Sequence, residues 1–343
     1  MKKIAYFDTS HDMPEEIISA AGFIPYRILG QVHEPAGPAD QYLPEYSCPF
    51  ACSCLTEVLQ ASDSWAGIVF ANGCDTTSRH FEIWKLHVNT PFIHWFNSPV
   101  EDGQSAVKFF VEELRRLIAH IEECYSQEIS TTTLRRAISD ANEVKFLLGR
   151  LSSYRAVKDI SNREYFEAVK KALQGSKSQV IRELREMVAA WAYRPVFPEG
   201  KKRFLLTGSD VTYGEWMDFL DECGIRVVRD DLSLGERYFA RLIPENADPL
   251  EALASYYLSI PRPAAKTSIA RRVDYLLQAV RQTPVDGVIS QNLKFCEPYA
   301  QESVTVNRAL KDQGLKLIHL EREYTAAPDQ QAVDKLHAFI ETL

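Results

Sequence analysis

Two stretches of this chain are echoed far downstream, and that echo restricts the folds open to it. Glu15–Ile24 reads as a helix, a glycine and the start of a strand, and Met217–Arg226 repeats the pattern. Ala66–Asn72, an apolar strand closed by Asn, is matched by Asp286–Asn292. Around each echo, short apolar runs alternate with helical periodicity, a β-α-β rhythm whose crossovers demand parallel strands. Strands this short and apolar suit a sheet covered on both faces. The expected fold class is α/β: two flavodoxin- or Rossmann-like parallel-sheet lobes with a helical insertion between them.

A chain of 343 residues is long enough to bury two or three cores. Residues 1–103 read as an N-terminal lobe with strands Ile4–Phe7, Ile24–Ile28, Gly67–Ala71 and Phe92–Phe96 and helices Pro14–Ala21 and Cys48–Gln60. In residues 104–200 the strand signal vanishes, and the apolar positions from Val107 through Phe110, Leu114 and Leu117 to Ile121 follow helical spacing. Ser161-Asn162-Arg163-Glu164 has the form of a capping box, and Ser130 is placed to cap the helix through Leu134. The proline-rich Tyr193–Gly200 reads as a linker. Residues 201–343 restore the α/β rhythm with strands Arg203–Thr207, Ile225–Val228, Gly287–Ser290 and Leu315–Leu320 and helices Gly214–Cys223 and Ser268–Gln282.

A formal charge of −8, with no long Lys/Arg run, argues against a nucleic-acid footprint. No 18 apolar residues run together, so no membrane span is expected. The chain enters its first strand after Met1-Lys2-Lys3 and Asp8 interrupts it, so no secretory leader is read and a cytoplasmic location is expected. In a reducing compartment its seven cysteines are thiols or metal ligands before they are disulfides.

Three of those cysteines share one context. Cys48 precedes Pro49, while Cys74 and Cys296 end apolar strands and precede Asp75 and Glu297, so each stands where a helix begins. A helix start offers unpaired N–H groups and a positive dipole end, which favour thiolate. Open parallel sheets bind ligands at the carboxyl ends of their strands, where Cys74 and Cys296 fall. Soft thiolates select zinc, Cu(I) or iron–sulfur clusters. A zinc site would want a fourth ligand and paired C-x-x-C spacing, whereas three scattered thiolates suit a [4Fe–4S] cluster with one open iron. Cys52, on the Leu55 and Leu59 face, reads as packing, and Cys54, Cys124 and Cys223 as structural; Cys52 or Cys54 could serve a larger cluster.

Other motifs are negative. Lys266-Thr267-Ser268 lacks the glycines of a P-loop, so any ATP use must reside in a partner. Gly208-Ser209-Asp210 after a strand is a weak anion-cradle signal that a plain turn explains equally. His80, His87, His94 and His319 are scattered, and His94 reads as a core histidine.

Taken together, Leu43–Phe50, Gly67–Asp75 and Lys294–Pro298, with Pro14-Glu15-Glu16, Asp230-Asp231-Leu232 and Gly235–Tyr238, resemble one family over nearly the whole chain. They are similar to subunits of the 2-hydroxyacyl-CoA dehydratase and benzoyl-CoA reductase family. The resemblance implies an oxygen-sensitive [4Fe–4S] cluster on Cys48, Cys74 and Cys296 and a related second subunit or homodimer. It also implies an ATP-hydrolysing activator as electron donor, single-electron chemistry and an acyl-CoA thioester as substrate. The chain departs from many relatives in having Ser233 where cysteine is expected and in lacking an N-terminal helical extension. Two alternatives stay open: a double-cubane [8Fe–9S] reductase of the same family, drawing on Cys52, Cys54, Cys124 or Cys223, and a non-catalytic two-lobed small-ligand-binding protein.

Overall fold

The computed structural model describes every residue except Met1, Ser10, Pro35, Ala36 and Thr267, so the middle residue of Lys266-Thr267-Ser268 lies outside the described residues. The first sheet is built from β1 (Lys3–Phe7), α1 (Glu15–Ala20), β2 (Ile24–Arg27), α2 (Pro49–Ala61), β3 (Trp65–Ala71), α3 (Asp75–His87) and β4 (Ile93–Phe96). Four helices follow: α4 (Gln104–Tyr125), α5 (Thr131–Arg155), α6 (Asn162–Gln174) and α7 (Lys177–Ala192). The second sheet then forms from β5 (Lys202–Gly208), α8 (Glu215–Glu222), β6 (Ile225–Asp230), α9 (Pro249–Ser259), α10 (Ile269–Gln282), β7 (Gly287–Leu293), α11 (Glu297–Asp312), β8 (Leu317–Arg322) and α12 (Gln330–Ile340).

The sheets are topological copies, ordered β2-β1-β3-β4 and β6-β5-β7-β8, with every pairing parallel. In each, the strand order reverses between the first strand and the third, the position at which doubly wound sheets open a crevice. The two-lobed parallel-sheet architecture expected from the alternating rhythm is therefore present, with four helices in the chain between the sheets. Local chemistry explains the helix starts. Ser161 accepts from the Glu164 N–H while the Glu164 carboxylate accepts from the Ser161 N–H, and Ser130 Oγ accepts from the Thr133 N–H at 3.1 Å. The Tyr193–Gly200 segment holds no helix or strand beyond an isolated bridge from Val196 to Lys158.

Sequence periodicity missed α9 and α12. Although α9 follows β6 in the chain, it packs on α4, and Leu253, Tyr257 and Ile260 enter the same apolar cluster as Ile4, Ile17 and Phe110 beside the first sheet. A second cluster runs from Phe7, Leu55 and Phe70 through Leu151 and Phe166 to Phe204, Leu206 and Trp216, so one core joins both sheets to the central helices.

Buried ion pairs reinforce that union. Glu15 Oε1 accepts from Lys177 at 2.9 Å and from the Tyr238 hydroxyl at 2.6 Å, and Glu16 accepts from Lys145 at 3.2 Å and from the Tyr257 hydroxyl at 2.7 Å. Thus Glu15-Glu16 of α1 binds helices α5 and α7 and the segment beyond β6. Removing one partner of such a pair costs far more than the pair contributes, because the other charge stays buried.

Candidate functional site

Each of the three singled-out cysteines is the N-cap of a helix: Cys48 of α2, Cys74 of α3 and Cys296 of α11. The sulfurs lie beside first-turn groups: the Ala51 and Phe50 N–H groups act on Cys48 and the Tyr299 N–H on Cys296, while the Thr77 hydroxyl stands 3.8 Å from Cys74 Sγ. Cys74 and Cys296 occupy matching places, each following the third strand of its sheet. Thr77 braces the first, its hydroxyl donating to the Cys74 carbonyl at 2.6 Å and accepting from the Gly73 N–H at 3.2 Å. The second is preceded by Phe295, a half-exposed aromatic held at φ 64° in the left-handed region. A bulky residue rarely adopts that backbone, and such strain concentrates at functional loops.

The fold brings the three sulfurs within electrostatic reach of one another. Burial, and then the Cys296 and Cys74 sulfurs, drive the Cys48 thiol well above its ordinary range against the Ala51 and Phe50 N–H groups. Burial pushes the Cys296 thiol up to about 12, helped by Cys74 and Asp210 and opposed by the Tyr299 N–H and Arg322. The helix-start amides thus act in the anticipated direction, but burial outweighs them. The Cys48 and Cys296 thiols, whose ionisation burial and the neighbouring sulfurs oppose, are groups that a bound cationic centre would deprotonate, since metal coordination removes a thiol's proton outright. Among the described residues no group of three His, Cys, Asp or Glu side chains is spaced around a single ion. A polynuclear cluster does not need that spacing, because it distributes its thiolates over several metal atoms.

The remaining cysteines stand apart in role. Cys54 is fully buried in the core and Cys52 is half-buried on α2, its thiol pushed up to about 11 by burial and Asp40. Cys124 is exposed on α4, and Cys223 lies 3.4 Å from His337 Nε2 near the surface. His94 is buried with Nδ1 2.9 Å from His120 Nδ1, and its Nε2 has no partner among the described residues, so it is only partly satisfied. The Gly208-Ser209 turn is committed to β7: the Ser209 N–H donates to the Gln291 carbonyl at 3.0 Å, and Ser209 Oγ accepts from the Leu293 N–H at 2.7 Å.

What sequence reading missed is the charged lining around the cysteines. Arg27, fully buried at the end of β2, donates to the Ser233 hydroxyl at 2.8 Å, to the Asp8 carbonyl at 2.9 Å and lies 3.6 Å from Asp210. Ser233, where a cysteine is expected, takes the Arg27 proton from the first lobe and donates its own to Asp210 Oδ1 at 2.5 Å within the second, so the lobes are tied through Arg27. Arg237, 1% exposed, lies 3.5 Å from Asp210 with no side-chain hydrogen bond among the described residues. Arg322 donates to Gln291 at 2.7 Å and to the Tyr213 hydroxyl at 2.9 Å. In sequence, Arg27 shows as a charge inside the apolar run Ile24–Leu29, Arg237 falls within the Gly235–Tyr238 stretch and Asp210 in the Gly208-Ser209-Asp210 turn.

A fold of two like parallel-sheet lobes, each with a cysteine at the helix start after its third strand, defines a class of enzyme subunits rather than one enzyme. Residues 11–343 match the family described as 2-hydroxyglutaryl-CoA dehydratase, D-component, and the chain belongs to that family. It is 26% identical to the lactoyl-CoA dehydratase subunit beta of Anaerotignum propionicum, covering 96% of this chain and 89% of that one. The (R)-phenyllactyl-CoA dehydratase beta subunit of Clostridium sporogenes is 24% identical over the same shares of 96% and 89%. A benzoyl-CoA reductase subunit of Thauera aromatica is 23% identical, covering 87% and 79%. No helix among the described residues is long and apolar enough to cross a membrane.

Proposed function

We propose that this chain is the iron–sulfur subunit of a 2-hydroxyacyl-CoA dehydratase or benzoyl-CoA reductase-like enzyme, with Cys48, Cys74 and Cys296 as ligands of a [4Fe–4S] cluster. What supports the reading is that Cys48, Cys74 and Cys296, from two lobes, each start a helix, and that the Cys296 and Cys74 sulfurs are close enough to Cys48 to raise its thiol. When bound, the cluster supplies low-potential single-electron transfer and an open iron as Lewis acid.

The chain's own residues do the rest. The Ala51, Phe50 and Tyr299 amides point at thiolate sulfur and stabilise it, and Arg322 offsets negative charge at Cys296. Phe50, buried beside Cys48 on α2, keeps water from that side. The relatives are named as subunits, which supports a related second subunit or a second copy as partner. An ATP-dependent activator donates the electrons, a CoA thioester is the substrate, and the protein works in the cytoplasm.

Anaerobic purification with iron and sulfide analysis tests this. About four irons per chain are expected, and about eight would shift the reading to the double cubane. Colourless, iron-free protein under those conditions, with ligand binding unaffected by replacing all three cysteines, would leave only the non-catalytic binding protein.

A further inference from the structure

Strand β8 ends in a charge without a counterion. Arg322 is 2% exposed, and its guanidinium donates to three uncharged oxygens: Gln291 Oε1 at 2.7 Å, the Tyr213 hydroxyl at 2.9 Å and the Asp210 carbonyl. Among the described residues no carboxylate pairs with it. The Asp210 carboxylate is occupied by Arg27 at 3.6 Å, Arg237 at 3.5 Å and the Ser233 hydroxyl at 2.5 Å, so three buried guanidiniums gather on one acidic residue. Counting the neighbouring Arg272 with its partners Asp231 and Glu302, four guanidiniums face three carboxylates. A buried cation with no anion beside it is strongly unfavourable, so the position calls for an anion that these side chains do not supply.

Strand register places that charge beside Cys296. Arg322 lies opposite Leu293 in the parallel pairing of β7 with β8, its carbonyl accepts from the Lys294 N–H at 2.9 Å, and the Cys296 N–H donates back to the Leu293 carbonyl at 3.0 Å. The guanidinium therefore braces the turn that presents the cysteine. Burial and Cys74 dominate the environment of the Cys296 thiol, and within it Asp210 and Arg322 act in opposite directions. We propose that Arg322 sets the electron affinity of the centre held by Cys48, Cys74 and Cys296, its charge favouring the reduced state and the Asp210 carboxylate opposing it. This inference rests on the cluster reading above. The step concerned is one electron taken from a low-potential one-electron donor: no bond forms or breaks, and the centre ends one unit more negative. A cation fixed where water is excluded stabilises that added charge more than it would in solvent.

A reductive titration of the anaerobically purified, iron-loaded chain with Ti(III) citrate, followed by electron paramagnetic resonance, tests this. At the wild-type midpoint, Arg322→Gln is expected to lower the ratio of reduced to oxidised centre by about 10-fold, which is about 59 mV for one electron, and Asp210→Asn to raise it by a similar factor. Arg322→Lys keeps the charge, loses the planar fork and is expected to stay within about 3-fold of wild type. All three disturb buried hydrogen bonds, so opposite signs report charge rather than loosened packing. If Arg322→Gln retains no iron, Arg237→Gln carries the test, because it removes a buried guanidinium that makes no side-chain hydrogen bond among the described residues, and a fall of about 3-fold is expected. The proposal is overturned by an Arg322→Gln or, in its place, Arg237→Gln ratio within about 1.5-fold of wild type, by shifts of one sign in Arg322→Gln and Asp210→Asn, or by Arg322→Lys moving as far as Arg322→Gln. Wild-type protein that holds no iron would sink the cluster reading itself, whereas loaded protein whose potential ignores these charges sinks this inference alone.

Discussion

Strands β3 and β7 hold the same place in the two sheets, are both seven residues long and are both buried along their whole length. Their chemistry differs. Trp65–Ala71 is apolar throughout, whereas Gly287–Leu293 carries Ser290, Gln291 and Asn292 toward its carboxyl end. Gln291 is held by Arg322, Ser290 by His319 at 3.0 Å and Asn292 Nδ2 by Ser303 at 3.3 Å, while Asn292 Oδ1 has no partner among the described residues. The N-terminal half therefore offers soft donors, Cys48 and Cys74, against an apolar wall. The C-terminal half offers one cysteine among guanidiniums. On the proposed function, a duplicated topology has been put to two uses, one side to hold a soft centre and the other to balance its charge.

The sharpest way to break this comparison is Cys74→Ser against Cys296→Ser. Each is expected to abolish iron retention in anaerobically purified protein while leaving the circular dichroism of both α/β halves unchanged. If only one did so, the two halves would not share a centre. Next in size is the tie from α1 to the central helices at Glu16. Lys145→Ala strands a buried carboxylate and is expected to cost about 3–5 kcal/mol in chemical denaturation, with Glu16→Gln/Lys145→Met recovering much of the loss.

Gly208→Ala probes the C-terminal sheet alone. Gly208 sits at φ 125°, and an added Cβ would stand 1.7 Å from the Gln291 carbonyl oxygen, which is backbone and cannot swing away. A loss of about 3 kcal/mol is expected, measured as a shift in urea midpoint. His80 probes the N-terminal sheet through pH. Burial lowers its pKa from 6.5 to about 4, so between those values the unfolded chain binds a proton that the folded chain refuses. Stability should fall as pH drops across that window, by up to about 3 kcal/mol from this residue. His80→Gln should flatten the slope, leaving a remainder from His94, which burial, His120 and Arg116 also lower to about 4.

These expectations draw on both what was legible in sequence and what was not. Strand and helix identities were legible because both sheets bury short apolar runs between turn signals, and the cysteines stood out because Pro49, Asp75 and Glu297 mark helix starts. Helix α9 was illegible because Ala252, Leu253, Ala254, Tyr256, Tyr257 and Leu258 are all buried, leaving no polar stripe to reveal a period. The arginines around the site were illegible for a different reason. A buried guanidinium is specified by partners distant in the chain, as Arg27 is by Ser233 and Asp210, and no local pattern encodes such a meeting.

The return of α9 to the first sheet has a consequence for how the protein is made. Ile243, Leu253 and Ile260 cover Ile4, Ile17 and Phe110, so the earliest strands to leave the ribosome keep a greasy flank until residues past 250 have been translated. A nascent chain halted at the end of α7 would expose that flank, the condition under which chaperones bind and unassisted chains clump. The finished molecule is in turn joined at several buried points, Arg27 to Ser233, Glu15 to Tyr238 and Arg262 to Asp12 among them, so a swing of the halves would have to break all of them at once.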